Sequence, residues 1–230
     1  MKKALTLLFI LVFPSAIYVF FTAGKAKSFI RLEYFGPKKP ICINENGKVK
    51  TDTAFYQVPG FNLYNQFGKQ VNSSVFKGKI WVAYFVHLHD AEKAPSMAVL
   101  MNRIEERTDL DTALQLVTFT LDSESVKGMQ DYATTVHAGK KRIFFSENAQ
   151  TLNNLAVEGF YKPVASHDTI GFNQFFLIDK ESHIRGIYNG LRVKEIDKLV
   201  DEIGMMEAEY FLKKEIKEEK EGKAKDKDAI

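Results

Sequence analysis

The residues best suited to chemistry form the segment His87-Leu88-His89-Asp90, which directly follows a long apolar run. Imidazole nitrogens and carboxylate oxygens are ligands that zinc and copper accept in proteins. If a strand continues through this segment, its alternation places His87 and His89 on one face of the sheet. The same residues are also typical of the point where a buried strand reaches solvent. The residues alone leave both interpretations open, a zinc or copper site that includes Asp90 or a solvated strand end.

A single cysteine, Cys42, limits the thiol chemistry of this chain. One cysteine excludes an intramolecular disulfide, a CxxC redox pair and a metal site built from several thiolates. Cys42 is expected as a small buried residue, or else as a partner for a cysteine of another chain in an oxidising compartment. The sequence also shows no nucleophile elbow.

Other reactive side chains have simpler interpretations. Met97 and Met101 lie one helical turn apart, which favours core packing over a methionine copper site. The acidic and hydroxyl residues at 122–125 are typical of a helix start rather than an acid/base pair. His137 and His183 each stand beside charged residues and are predicted to be solvated turn residues.

The composition indicates a globular protein without a nucleic-acid partner. The chain has 230 residues, of which 45% are hydrophobic and 27% charged, so it can bury a core. Lysine and arginine number 32 against 29 acidic residues, a net charge of +3. This balance offers no basic surface for nucleic acid.

The N-terminus predicts a membrane anchor. Residues 4–23 form a run of 20 residues without a charge, preceded by Lys2 and Lys3. At about 1.5 Å per helical residue, this run spans the roughly 30 Å hydrocarbon core of a bilayer. The alternative is a cleaved signal peptide, whose apolar core is normally shorter, about 7 to 15 residues. A retained anchor places the following domain on the extracytoplasmic side of the membrane.

The remaining sequence alternates between strand and helix patterns, which predicts an α/β domain with a mixed sheet. A hairpin turn is expected at Phe67-Gly68 and another around Glu181-Ser182. The predicted organisation is an anchor at 1–27, a linker or extended collar at 28–53, a domain at 54–205 and a charged helical tail at 206–230. Strands are expected at 80–88, 114–122, 142–146, 172–180 and 183–190, and helices near 94–104, at 125–136, 149–160 and 193–212.

Four stretches, in order, resemble the Sco/SenC family of membrane-anchored thioredoxin-fold proteins of cytochrome c oxidase assembly. They are YFGPK, VPGFNLYNQFGKQV, FKGKIWVAYF and LIDKESHIRGIYNG, which begin at residues 34, 58, 76 and 177. The last of them is the most specific single piece. The resemblance runs from the anchor to about residue 205 and implies a thioredoxin-like three-layer α/β/α domain with a mixed central sheet.

The family's function resides in a CPxxC-P motif on the loop after the third stretch and in a distal histidine. These residues supply two thiolates and an imidazole, which suit copper. Aligned without a gap, the resemblance places the two cysteines at Asp90 and Ala94, with Pro95 matching the following proline. The histidine position falls at Gly171. All three ligand positions are therefore filled by other residues.

A replacement site is the alternative that the resemblance leaves open. His167 takes the role of the distal histidine only if its loop has a different length. With His87, His89 and Asp90 it then forms a nitrogen and oxygen site for copper or zinc.

The resemblance thus implies a non-catalytic accessory factor rather than an enzyme. Without motif cysteines, thiol–disulfide or peroxidase chemistry is not expected at this loop. The implied partners are proteins of respiratory-complex assembly, with the lipid bilayer contacted through residues 4–23. The implied location is the inner (cytoplasmic) membrane, with the domain facing the periplasm. No resident cofactor is expected. The competing function is that of a metal chaperone.

Overall fold

The computed structural model of the protein describes residues 31–45, 48–108, 114–160 and 173–228. The predicted anchor at 1–27 lies outside these residues. Among the helices of the described ranges, none combines the length and apolar character needed to cross a membrane. Residues Leu32–Tyr210 form one compact unit, and the chain from Phe211 onward belongs to a second unit.

Nine strands and four α-helices make up most of the described chain, with a short 3-10 helix at Ser73–Phe76. The first hairpin and the two short strands that follow are β1 (Lys39–Glu45), β2 (Lys48–Ala54), β3 (Asn62–Asn65) and β4 (Gln70–Asn72). The central elements are β5 (Ile80–Val86), α1 (Lys93–Arg107), β6 (Leu114–Thr120), α2 (Val126–Thr135), β7 (Arg142–Ser146) and α3 (Ala149–Asn154). A π turn, Leu155–Gly159, extends α3, and β8 (Gln174–Ile178), β9 (Ile184–Asn189) and α4 (Val193–Asp228) complete the order.

Seven strands form one mixed sheet in the order β4-β3-β7-β6-β5-β8-β9. β5, β6 and β7 are parallel neighbours, whereas β8 pairs antiparallel with β5 and with β9. β5 therefore lies inside the sheet, where both of its faces are covered. This explains why Ile80–Val86 is apolar at every position and buried along its whole length.

Helices cover both faces of this sheet, as a three-layer α/β/α domain requires. Ile80, Val82 and Tyr84 of β5 pack with buried residues of α1 and of the first part of α4. The alternate residues Trp81 and Phe85 face the opposite layer, which includes α3 and its π turn. That second layer is rich in aromatic rings, and Phe76 stacks on Trp81 with ring centroids 5.0 Å apart.

The predicted alternation of strands and helices is confirmed, with shifts at element ends. β7 has the expected limits, and Ser125 caps α2 by accepting a hydrogen bond from the backbone N–H of Gly128. Gly68 has φ +70, the left-handed conformation that the hairpin turn between β3 and β4 requires. The expected helix 149–160 is α-helical only to Asn154 and continues as the π turn.

Residues 28–53, interpreted as a linker or extended collar, include all but the last residue of the antiparallel hairpin of β1 and β2, a two-stranded sheet of its own. In β1, Cys42 pairs with Thr51 across the hairpin and is exposed. The expectation of a buried Cys42 is therefore wrong, because its strand belongs to this separate small sheet rather than to the seven-stranded one.

The last helix is longer than its apolar pattern indicates. The apolar pattern predicts a helix to residue 212 and the residues at 206–230 a charged helical tail, and α4 runs through both to Asp228. Ion pairs one turn apart, such as that of Lys214 with Glu218, favour helix in this charged stretch without an apolar face.

Candidate functional site

The candidate site lies where the parallel strands β5 and β6 end side by side. The backbone N–H of Leu121 donates to the carbonyl of Val86 at 2.9 Å, which holds the two strand ends together. After Val86 the chain leaves the sheet in a turn, in which the N–H of Asp90 donates to the carbonyl of His87 at 3.1 Å. The loops after β5 and β6 therefore share one edge of the sheet.

Two histidines from the first loop meet two carboxylates from the second. The Nδ1 atom of His87 lies 2.8 Å from Oδ1 of Asp122, and Nε2 of His89 lies 2.7 Å from Oε1 of Glu124. The backbone N–H of His89 also donates to Oδ2 of Asp122 at 3.4 Å. The His89 side chain is 79% exposed and that of Glu124 is 15% exposed. The carboxylate is therefore largely buried, whereas the imidazole is open to solvent.

The carboxylates approach from a rigid segment. The backbone N–H of Glu124 donates to Oγ of Ser146 at 2.8 Å, which ties the loop to the end of β7. The next residue, Ser125, is the cap of α2. Glu124 is thus held by its main chain on both sides, while its carboxylate points toward His89.

Asp90, the third predicted member of the site, has a different task. Its Oδ1 accepts hydrogen bonds from the N–H groups of Glu92 at 3.1 Å and Lys93 at 2.8 Å, at the beginning of α1. Chiefly the hydrogen bond from Lys93 lowers the pKa of this carboxyl from its ordinary value. In the structure this carboxylate stabilises the helix start, and the carboxylates that approach His89 are those of Asp122 and Glu124.

The other residues singled out in the sequence lie in the core, outside the described residues, or at the surface. Ala94, Met97 and Met101 are buried in the core of the α1 layer, which confirms the packing interpretation of both methionines. His167 and Gly171 lie outside the described residues. His137 is exposed.

Contrary to the prediction, the His183 side chain is not solvated. Its Nδ1 lies 3.2 Å from both carboxylate oxygens of Asp179, and its ring meets the edge of Tyr34. His183 lies in the turn that directly precedes β9, and this turn back toward β8 brings it under this cover.

Asp122 and Glu124 are the residues that sequence reasoning missed. They were interpreted as a helix start, and for Ser125 that interpretation is confirmed. A signal was nevertheless present, because carboxyl ends of neighbouring parallel strands meet at one edge. Polar residues after β5 and after β6 were therefore candidates for the same site.

The layers, sheet order and loop placement define a thioredoxin-like α/β protein. Residues 49–206 match the sequence profile of the SCO1/SenC family, and the chain belongs to this family. A curated relative, the SCO1 protein homolog of Bacillus subtilis (strain 168), is 21% identical over 168 residues, which cover 68% of this chain and 86% of the relative.

Solved structures show the same fold. A SCO1/SenC family lipoprotein from Bacillus anthracis superposes with a TM-score of 0.59 at 18% identity, over 66% of this chain and 95% of the other. BsSco, described as a member of the Sco family of cytochrome c oxidase assembly proteins with a disulfide switch, gives 0.58 at 19% identity, over 66% and 93%.

The residues at the aligned cysteine positions do not fit a copper–thiolate site. Asp90 is engaged at the start of α1, and the Ala94 side chain is buried and carries no ligand atom. The thiol of Cys42 lies in the separate β1–β2 sheet. No thiolate therefore reaches the loop after β5, and copper bound through sulfur has no basis there.

Proposed function

We propose that this protein is a non-catalytic accessory factor in the assembly of cytochrome c oxidase or another respiratory envelope complex. The observation that carries the proposal is the loop after β5, where a family fold is retained while Asp90 and Ala94 perform purely structural tasks. A scaffold without its reactive thiols retains its surfaces, and these act by contact with other proteins.

Exposed apolar side chains of β3, of the β3–β4 turn and of the start of α2 support a role in protein contact, and we call them the apolar surface. Tyr64, Phe67 and Val126 are exposed by 47%, 73% and 39%. The β3–β4 turn lies against the start of α2, since a Cβ on Gly68 would stand 3.4 Å from Val126. Exposed aromatic side chains of this kind are enriched at protein interfaces.

The proposal includes membrane attachment. Residues 1–27, through the uncharged run at 4–23, anchor the chain in the inner membrane, with the domain at 54–205 on the extracytoplasmic side and 206–230 as its charged tail. Carbonate extraction of membranes is expected to leave the full-length protein in the pellet. Release of a shorter, processed protein would favour a cleaved signal peptide instead.

Deletion of the gene tests the accessory role. We expect a lower amount of assembled oxidase and lower oxidase activity, measured by haem spectra and oxygen consumption at ordinary and limiting copper. Complementation with the Cys42→Ser variant is expected to restore both, because the only thiol lies away from the loop. Normal oxidase in the deletion strain at both copper levels would refute the role, and failure of Cys42→Ser would indicate thiol chemistry.

The contact surface has a matched test in the same strain. Phe67→Gln is expected to complement poorly, because it removes the most exposed ring of the apolar surface. Leu191→Gln is the control. Leu191 is 41% exposed and follows β9, the outermost strand on the side of the sheet away from β3 and β4. Equal complementation by both variants would exclude this surface as the contact site.

A further inference from the structure

We infer that the ends of β5 and β6 form a binding site for a divalent ion of the zinc class, with His89, Asp122 and Glu124 as ligands. His87 is assigned as the residue that positions Asp122. This inference goes beyond the accessory role, since it requires neither a thiol nor an oxidase partner.

The three ligands already converge. One ligand atom from each of His89, Asp122 and Glu124 lies within 4.8 Å of the other two. Zinc holds nitrogen and oxygen ligands at about 2.0–2.2 Å, which places tetrahedral ligand atoms roughly 3.4 Å apart. Small side-chain rotations, mainly of the exposed His89, are therefore sufficient to enclose an ion.

His87 supplies the outer contact that metal-binding carboxylates usually have. Its Nδ1 lies 2.8 Å from Oδ1 of Asp122, so a hydrogen bond there leaves Oδ2 for an ion. The same Oδ2 is the oxygen nearest the backbone of His89. The contact thus fixes the orientation of Asp122 before an ion arrives.

The charges at this edge favour a cation. The carboxylates of Asp122 and Glu124 are mostly buried, with side chains 24% and 15% exposed, and the ion-pair partners that face them are His87 and His89. The ligand atoms of the two carboxylates lie within 4.8 Å of each other, so two negative charges are close together in a partly desolvated place. A divalent ion between them removes that repulsion.

The ligand types select the ion. One imidazole nitrogen with two carboxylate oxygens suits Zn(II) and also Cu(II), whereas Cu(I) prefers sulfur and Mg(II) and Ca(II) prefer oxygen alone. Three protein ligands leave a fourth position open, as in zinc sites that exchange a ligand. The high exposure of His89 leaves the ion accessible from solvent.

A second cluster in the described chain shows why composition alone is insufficient. Asp179, Glu181 and His183 also bring three ligand atoms together. There, however, Asp179 accepts hydrogen bonds from the N–H groups of Glu181 and His183 and pairs with the buried guanidinium of Arg185 at 3.2 Å. This cluster already contains its cation, so we assign no metal to it.

Calorimetric titration of the full-length protein with Zn(II) or Cu(II) tests the site. The protein is purified in mild detergent, treated with EDTA and carries Cys42→Ser, which removes the only thiol. One saturable equivalent is expected, with His89→Gln and Glu124→Gln weakening binding by more than roughly a hundredfold and His87→Gln by roughly tenfold. Matched controls are His137→Gln and Glu158→Gln, at exposed residues elsewhere, with affinity unchanged.

Absorption of the Co(II) form adds a readout independent of affinity. A tetrahedral d–d spectrum without a sulfur charge-transfer band, lost in Glu124→Gln, supports the assigned ligands. Absence of saturable binding, or binding that both ligand variants retain like the controls, overturns the inference. Complementation of the deletion strain by His89→Gln separates this result from the accessory role, since only the oxidase assay reports on that role.

Discussion

At the scale of single residues, the loop after β5 is defined by two side chains with structural tasks. Asp90 accepts the free N–H groups at the start of α1. Ala94 is 1% exposed and packs into the α1 layer. Neither residue has a thiol. Both stabilise α1, and the histidines lie in the same loop.

Asp90→Ala is expected to lower stability at neutral pH but not in acid. The folded-state pKa of this carboxyl is lowered, chiefly by the N–H of Lys93, so the ionised form contributes stability above the unfolded pKa. That contribution is lost as the pH falls through the folded-state pKa. Urea unfolding of wild type and variant at about pH 7 and about pH 2 measures the difference.

Glu92→Ala provides the control for this prediction. Glu92 lies two residues away and makes no side-chain capping hydrogen bond. Its replacement is expected to leave the pH dependence of unfolding unchanged. A stability loss in Asp90→Ala that is equal at both pH values would show that the carboxylate does not act through its charge.

At the scale of elements, α1 is fastened to β7 by a buried ion pair. Nη2 of Arg142 donates to Oε2 of Glu105 at 2.8 Å and to Oδ1 of Asn102 at 2.8 Å. The Arg142 side chain is 0% exposed and that of Glu105 13%. Glu105 also accepts the N–H of Gly139, so one carboxylate joins α1, the loop before β7 and β7 itself.

Glu105→Gln is expected to reduce the free energy of unfolding by about 3 kcal/mol, because it leaves the charge of Arg142 buried without a counterion. Glu106→Gln, at the exposed neighbouring position, is expected to change it by less than about 0.5 kcal/mol. Equilibrium urea unfolding measures both values. A loss below about 1 kcal/mol for Glu105→Gln would mean that water reaches Arg142 in solution.

At the scale of the whole Leu32–Tyr210 unit, Arg185 of β9 joins three distant parts of the chain. Its guanidinium donates to the carbonyl of Leu32 at 2.8 Å, to Asp179 at 3.2 Å and to Glu209 of α4 at 3.0 Å. It also stacks over the ring of Tyr34 at 4.1 Å. The segment before the β1–β2 hairpin is thereby fixed to the rest of this unit.

Arg185→Met is expected to release this segment. Because Asp179 is then buried without a cation, the free energy of unfolding is expected to fall by about 3 kcal/mol or more. Trypsin is expected to cut faster after Lys38, as followed by mass spectrometry, whereas the Lys39–Pro40 bond resists trypsin. Arg103→Met, which removes an exposed pair with Asp197, is expected to cost less than about 1 kcal/mol and to leave cleavage unchanged. Unchanged cleavage in Arg185→Met would refute the anchoring role.

Much of the fold could be predicted because the hydrophobic patterns of the strands agree with their burial in the sheet. The unbroken apolar run at β5 predicted a strand covered on both faces, and the β8–β9 stretch predicted a hairpin. The motif-like stretches predicted the family that residues 49–206 confirm. The charged tail after residue 206 was expected to be helical, and α4 continues through it to Asp228, where i,i+4 ion pairs favour helix without an apolar period.

The sequence by itself determined that the chain has one cysteine, and hence that the aligned motif positions, Asp90 and Ala94, provide no thiolate. Only the tertiary structure decided which side chains meet His87 and His89. Asp122 and Glu124 lie more than thirty residues further along the chain and arrive through parallel pairing of β5 with β6. Such pairing is non-local, so the spacing within one segment could not reveal it, whereas Asp90, next to both histidines, is drawn away by the start of α1.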